Sequence, residues 1–294
     1  MLKKNLHASI FSDKEISTSI IPGVRDFVYD SWEKDEVSKN FLNDSSYRDL
    51  IIQGGFINNN SIDFPIYNIN SNGFRSDEFN TSDNGIVCLG CSDSFGHWQY
   101  ENKIWPYFLS KHFDQKCWNL STPGADIGFN YLNFKKHSSS INFDKVFILI
   151  PSPLRRLTLV QRKDNKKKFK FKCLNPIDQD KLRKSIHNYG VDNNSIKLLL
   201  KYYVESSNTF EQDFYINSYL DSIANIVRKN NAKLYWLPNV TYFGQDIRKT
   251  YLRKIYSPFV SKNKALDGLH LGTYFQEEVA NYFINLVEKN MKII

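Results

Sequence analysis

Two short runs in this chain carry residue types that could do chemistry together. The first is Gly90-Cys91-Ser92-Asp93-Ser94-Phe95-Gly96, which follows the apolar run Ile86 to Leu89. A serine at such a strand-to-helix turn lies near backbone N–H groups and the positive end of a helix dipole, which suits a nucleophile. The second is Asp267-Gly268-Leu269-His270, just before the last helical pattern. An aspartate three residues before a histidine can accept from one ring nitrogen while the other nitrogen faces a nucleophile. Ser94, His270 and Asp267 would then be nucleophile, base and orienting group of a covalent acyl transfer. Each run also occurs for purely structural reasons, as an ordinary turn before a helix.

The elements that must position these runs read as an alternation of strands and helices, which argues for a parallel sheet covered on both faces. The strands are expected at Ile86 to Leu89, Lys116 to Leu120, Val146 to Ile150 and Lys233 to Leu237, the last two closed by Pro151 and Pro238. Helices are expected over Lys103 to His112, Gly128 to Ser138 and Phe214 to Val227. A final helix opens at Thr273-Tyr274-Phe275-Gln276 with capping-box spacing. Tyr235 and Trp236 read as core. Asp178 to Ser207 reads as largely helical, and residues 1–66 as an N-terminal extension that packs on a main domain of residues 67–294. Within that domain, Leu157 to Val160 and Phe169 to Lys172 flank a polar turn, giving a basic β-hairpin insertion at 155–173. Its Phe-Lys alternation is that of a half-buried strand with a solvated face, with a polyanion or acidic-glycan contact as the sharper alternative.

Composition narrows the class. The chain has 294 residues, 41% hydrophobic and 15% aromatic, enough for a sizeable core. Its net charge of +8 is concentrated between Arg155 and Lys172, and no finger, helix-turn-helix or stacking motif supports nucleic acid. No apolar run approaches the roughly 20 residues of a membrane span, and the N-terminus lacks the apolar stretch of a secretory signal, so a cytoplasmic location is the default. Of the four cysteines, Cys88 and Cys91 form a C-x-x-C, but Cys117 and Cys173 are too far apart for the second half of a zinc site. Neither a metal nor a cofactor is expected. His7, His112, His137 and His187 have no partner spacing.

Taken together, the motifs resemble those of the SGNH (GDSL-like) hydrolase family. Ser92-Asp93-Ser94-Phe95 is similar to its first block, Asn119-Leu120-Ser121-Thr122-Pro123-Gly124 to its second, and Asp267-Gly268-Leu269-His270 to its last. Asn72-Gly73-Phe74-Arg75-Ser76 is similar to the segment that precedes the first block in many members. The resemblance covers roughly residues 67 to 290. It implies a flavodoxin-like three-layer α/β/α sandwich with a mostly parallel sheet, Ser94 as nucleophile, His270 as base and Asp267 as its orienter. The oxyanion would be met by the backbone N–H groups of Ser94 and Gly124. Two departures stand out. Ser92 occupies the place of the first-block glycine, and Pro151-Ser152-Pro153-Leu154-Arg155-Arg156 has no asparagine where the third block places one. Ser152 or Arg155 would substitute there, or the hole would hold only its two backbone donors; His97 and Trp98 would line the site or else pack the following helix. The implied activity is a serine esterase acting on an acetyl or short acyl ester of a small molecule or glycan. The alternatives are an O-acyltransferase on the same triad and a non-catalytic glycan-binding or assembly module. Oligomeric state is left open.

Overall fold

The computed structural model describes residues 38–39, 42–58, 61–152, 155–161, 169–174, 198, 201, 209–239, 264–266 and 270–289. Its elements in chain order begin with helix α1 (Ser45–Gln53) and a short antiparallel pair, β1 (Ile57–Asn58) and β2 (Ser61–Ile62). Next come β3 (Asn84–Leu89), a four-residue helix α2 (Ser92–Phe95), α3 (Trp105–Phe113), β4 (Lys116–Asn119) and α4 (Ile127–His137). The chain continues through β5 (Asn142–Ile150), the hairpin strands β6 (Arg156–Gln161) and β7 (Phe169–Leu174), and α5 (Thr209–Lys229). It closes with β8 (Lys233–Pro238) and α6 (Thr273–Glu288). Of the expected helix over 178–207, Leu198 and Lys201 are described, both helical, and the rest lies outside the described residues.

The central sheet has the order β4-β3-β5-β8, and every neighbouring pair is parallel. Counted in chain order these four strands run 2-1-3-4, the flavodoxin-like pattern. Parallel strands need crossover helices, and those helices cover both faces, so the strands are apolar on both sides. Alternate residues therefore feed two cores. Val87, Leu89, Trp118, Val146 and Ile148 point to the face covered by α4 and α5, packing on Ile127, Phe134, Ile216 and Ile223. Ile86, Cys88, Phe147, Leu149 and Tyr235 point to the other face, under Trp105 and Leu109 of α3 and Phe275, Val279 and Phe283 of α6. Fully burying side chains of this size contributes roughly 1.5–3 kcal/mol each. The result is a three-layer α/β/α arrangement with the strand ends open at one edge.

Local signals set the helix ends. Pro106 starts α3, Asp114 ends it in the left-handed region, and the Asp126 side chain caps α4 by accepting from Phe129 N at 2.7 Å. The capping box expected at Thr273 does not form: Gly272 is the N-cap, with no side-chain hydrogen bond. The Gln276 side chain is used elsewhere. It accepts from Trp105 N and donates to the Asp93 carbonyl, tying α6 to α3 and α2.

His137, at the end of α4, is 5% exposed and wedged edge-on between Phe74 and Phe79. Burial, helped by the Lys136 charge, pulls its pKa from 6.5 down to about 4. The folded state therefore favours the neutral ring. That stability is fully present above the unfolded value of 6.5 and is lost as pH falls toward about 4. In urea unfolding at pH 7 and pH 5, His137→Phe is expected to lose less stability on acidification than the parent chain. Equal losses in the two chains would show that the ring is not held neutral.

Candidate active site

In sheets of this order, ligands bind outside the carboxyl ends of the strands where the connections reverse direction. Here that crevice lies between β3 and β5. At the end of β3, Gly90 and Cys91 lead directly into α2, whose first residue is Ser92. Ser94 lies beneath this turn, 0% exposed, with a buried hydroxyl that has no hydrogen-bond partner. A Cβ on Gly90 would sit 2.0 Å from Ser94 Oγ and 3.2 Å from the Leu149 carbonyl oxygen. Glycine is needed at 90 because Ser94 packs back onto the strand end.

This direction disagrees with the role expected of Ser94, since a hydroxyl sealed under the turn does not meet a substrate carbonyl. Successive residues on a helix are about 100° apart, so Ser92 and Ser94 are separated by about 200° and face opposite sides of α2. With Ser94 turned inward, that spacing carries Ser92 to the other side of α2, although all four residues of this short helix are buried. Ser92 keeps 5% of its surface, and its carbonyl accepts from Gly96 N and His97 N, which closes the turn behind it. The neighbouring Cys91 is fully buried. Burial pushes its thiol up, opposed in part by the Arg155 guanidinium.

The histidine-bearing segment is stitched to the residues just after this turn. Leu266 N donates to the Trp98 carbonyl, and Gln99 Nε2 donates to the Leu271 carbonyl. The His270 ring lies edge-on to His97, with centroids 4.8 Å apart. Ala265 N donates to the His270 carbonyl, and Lys264 bridges Leu271. The sequence-distant serine turn and His270 are thus brought to one end of the sheet. Asp267 lies outside the described residues. Trp98 sits at the junction with φ of 57°, an uncommon conformation for a bulky residue. Its N–H is held by the Tyr67 hydroxyl, and its ring packs in a cluster with Phe56, Ala265 and Leu266.

On the opposite side of the crevice, Gly124 follows β4 in the left-handed region, φ 77°, with open space where a side chain would be. Ala125 and the α4 cap at Asp126 come next, and Arg155 Nη1 donates to the Ala125 carbonyl at 3.3 Å. Ser152, after β5, is 3% exposed, and its carbonyl accepts from Arg155 N. Ser152 and Arg155 therefore border the loop that carries Gly124. Tyr215 of α5 donates to Asp126, fixing that loop from outside.

Several residues that shape the site carry no role in the sequence reading, although Asn119 and Arg75 fall within segments that resemble the family's. Three asparagines brace the turn: Asn119 Nδ2 donates to the Ser94 carbonyl, Asn130 Oδ1 accepts from Gly90 N, and Asn239 Nδ2 donates to Asp93 Oδ2 at 2.7 Å. Their signal, readable in hindsight, is a polar residue at the end of an apolar strand (Asn119, Asn239) or inside an apolar helix face (Asn130). Arg75 is the fourth, with its guanidinium donating to the carbonyls of Phe95, Gly96 and Gln99. Among the described residues no cluster of His, Cys, Asp and Glu is disposed to hold a metal ion, and no helix is long and apolar enough to cross a membrane.

No family model matches the chain, and no curated protein matches it. Solved structures do match it. One is described as lipolytic and of the G-D-S-L family, from Desulfitobacterium hafniense DCB-2. It is 12% identical and has a TM-score of 0.30, with the match covering 69% of this chain and 98% of that one. An acetyl xylan esterase from Butyrivibrio proteoclasticus is 10% identical over 72% of this chain and 65% of its own, TM-score 0.38. Another, from Geobacillus stearothermophilus, is 11% identical over 74% and 98%, TM-score 0.27. These neighbours are esterases and G-D-S-L lipolytic proteins. At such identity and overlap they are likenesses only, and the functional reading rests on this chain's own geometry.

Proposed function

We propose that the chain is a serine-dependent ester hydrolase acting on a short acyl ester, with Ser92 rather than Ser94 as its nucleophile and His270 as its base. The observation that carries this reading is the direction of α2. Ser94 packs inward on Gly90, and helical spacing would set Ser92 on the other side of α2, at the end of the sheet where the His270 segment is bound to the residues after the turn. In the first step the Ser92 hydroxyl adds to the ester carbonyl while His270 takes its proton. His270 then returns the proton to the departing alcohol, and water releases the acyl group by the same route. Asp267, three residues before His270, is the proposed orienter of the base. The backbone N–H groups of Ser92 and Gly124 are the proposed oxyanion donors, each worth a factor of roughly 10²–10³ in turnover. The open space beside Gly124 supports this, because a side chain there would stand between the amide and a substrate.

A glycan ester is the proposed substrate, with the half-buried Arg155 beside the Gly124 loop as the polar group nearest to it. The test is labelling of the folded chain by a fluorophosphonate probe, followed by mass-spectrometric mapping of the modified residue. Adduct on Ser92 is expected. Adduct on Ser94 would reverse the assignment, and a folded chain that takes no label would support the non-catalytic alternative.

A further inference from the structure

The C-x-x-C spacing directed attention to Cys88 and Cys91, but the fold pairs Cys88 with a different thiol. Cys88 lies on β3 and Cys117 on the adjacent parallel strand β4, both toward the face covered by α3 and α6, with their sulfurs 3.4 Å apart. Cys88 is sealed, 0% exposed, whereas Cys117 is half-buried and lines a cleft of about 660 Å³ that runs along the edge strand β4. One thiol is reachable from solvent and the other waits directly behind it. The pair plays no part in the proposed hydrolysis.

We propose that Cys117 and Cys88 form a redox modification site, in which a hydroperoxide entering the cleft oxidises Cys117 and Cys88 resolves it to a cross-strand disulfide. In the first step the Cys117 sulfur attacks the peroxide oxygen. An S–O bond forms, the O–O bond breaks, and the hydroxide or alkoxide that leaves takes up the thiol proton, giving a sulfenic acid and water or an alcohol. In the second, Cys88 sulfur attacks Cys117 sulfur. An S–S bond forms, the S–O bond breaks, and the Cys88 proton leaves with the hydroxyl as water. Two thiols and one peroxide thus give one disulfide and either two waters or one water and one alcohol. Accessibility sets the order of events, because oxidation follows exposure and thiolate character. Burial pushes the Cys88 thiol up, so it is the poorer first nucleophile of the two and the resolving attack is the slower step. Cys88 registers against Asn119 and Cys117 against Ile86, so the thiols meet diagonally, and closing them from 3.4 Å to about 2.05 Å takes a shift of the edge strand β4 as well as side-chain rotation.

The test uses the full reduced chain. It is exposed to hydrogen peroxide, its remaining thiols are alkylated, and its peptides are mapped. A Cys88–Cys117-linked peptide is expected, absent from Cys117→Ser. In Cys88→Ala, Cys117 should accumulate as a sulfenic acid trapped by dimedone. Folding of each variant is checked by circular dichroism. A separate measurement on the parent chain reads the geometry without oxidation: phenylarsine oxide, which bridges two close thiols, should shield Cys88 and Cys117 together from alkylation at one arsenic per chain. The proposal is overturned if the folded parent links Cys117 to Cys91 or Cys173 instead. It is equally overturned if Cys117 oxidises with Cys88 still free, or if the arsenical leaves both thiols alkylatable.

Discussion

A chain carrying Ser92→Ala is expected to lose turnover of a short acyl ester such as p-nitrophenyl acetate by roughly 10⁴-fold or more, whereas Ser94→Ala should stay within about threefold of the parent. The two serines are two residues apart, so ordinary proximity to the site does not separate them; their directions do. Ser94 Oγ is buried without a partner against the backbone of Gly90, and alanine there removes a polar group that the fold leaves unsatisfied. Ser94→Ala is therefore expected to be neutral or more stable by up to about 1 kcal/mol in urea unfolding. Ser92→Ala keeps the backbone that closes the turn and removes the hydroxyl of the proposed nucleophile, so its stability should change little while its activity collapses. Active Ser92→Ala beside inactive, folded Ser94→Ala would return the nucleophile to Ser94 and refute the orientation of α2. Loss in both would show that the turn tolerates no change, and it would remove the support for choosing between them.

The sheet was legible because a strand buried on both faces must be apolar at every position. Val146-Phe147-Ile148-Leu149-Ile150 could be read without knowing its neighbours, and so could Ile86 to Leu89. The meeting of the serine turn with His270 was legible for a related reason: both runs sit at strand or helix boundaries that a parallel sheet gathers at one edge. Which side of α2 each serine takes was not legible. That depends on where α2 starts, and Cys91-Ser92-Asp93-Ser94 has small polar residues in several registers. A helix starting one residue later would have rotated the pair by about 100°. Gln276 shows the same limit in reverse, since its spacing from Thr273 fits a local cap, yet tertiary partners on α2 and α3 claim its side chain. The bracing role of the three asparagines was not legible because a single amide carries no periodic signal; its meaning comes from a carbonyl, amide or carboxylate 25 to 146 residues away. The pairing of Cys88 with Cys117 required knowing that β4 lies beside β3.

Arg75 is expected to be the most damaging single truncation outside the proposed catalytic residues. Its side chain is 2% exposed and lies over the Tyr67 ring, with Nη1 donating to the Phe95 and Gly96 carbonyls and Nη2 to the Gln99 carbonyl. These carbonyls close α2 and the turn after it, and of the three the Gly96 carbonyl also accepts from Gln99 N. Burial lowers the guanidinium pKa to about 10, opposed by Tyr67 and Glu101, and it stays charged at neutral pH. Arg75→Ala removes the guanidinium donor from the Phe95 and Gln99 carbonyls, leaves the Gly96 carbonyl with Gln99 N alone, and opens a cavity beside Tyr67. A loss of about 3–5 kcal/mol is expected, a large share of the 5–15 kcal/mol that holds a typical domain. Arg75→Lys should recover less than half of it, because one ammonium cannot span carbonyls that the planar fork reaches from two nitrogens. Urea unfolding gives the energies. In the fraction of Arg75→Lys that remains folded, the rate of fluorophosphonate labelling should fall further than the unfolded population explains, because the backbone behind Ser92 has lost its anchor. A lysine variant as stable and as readily labelled as the parent would mean that positive charge alone, and not the three-point fork, holds the turn.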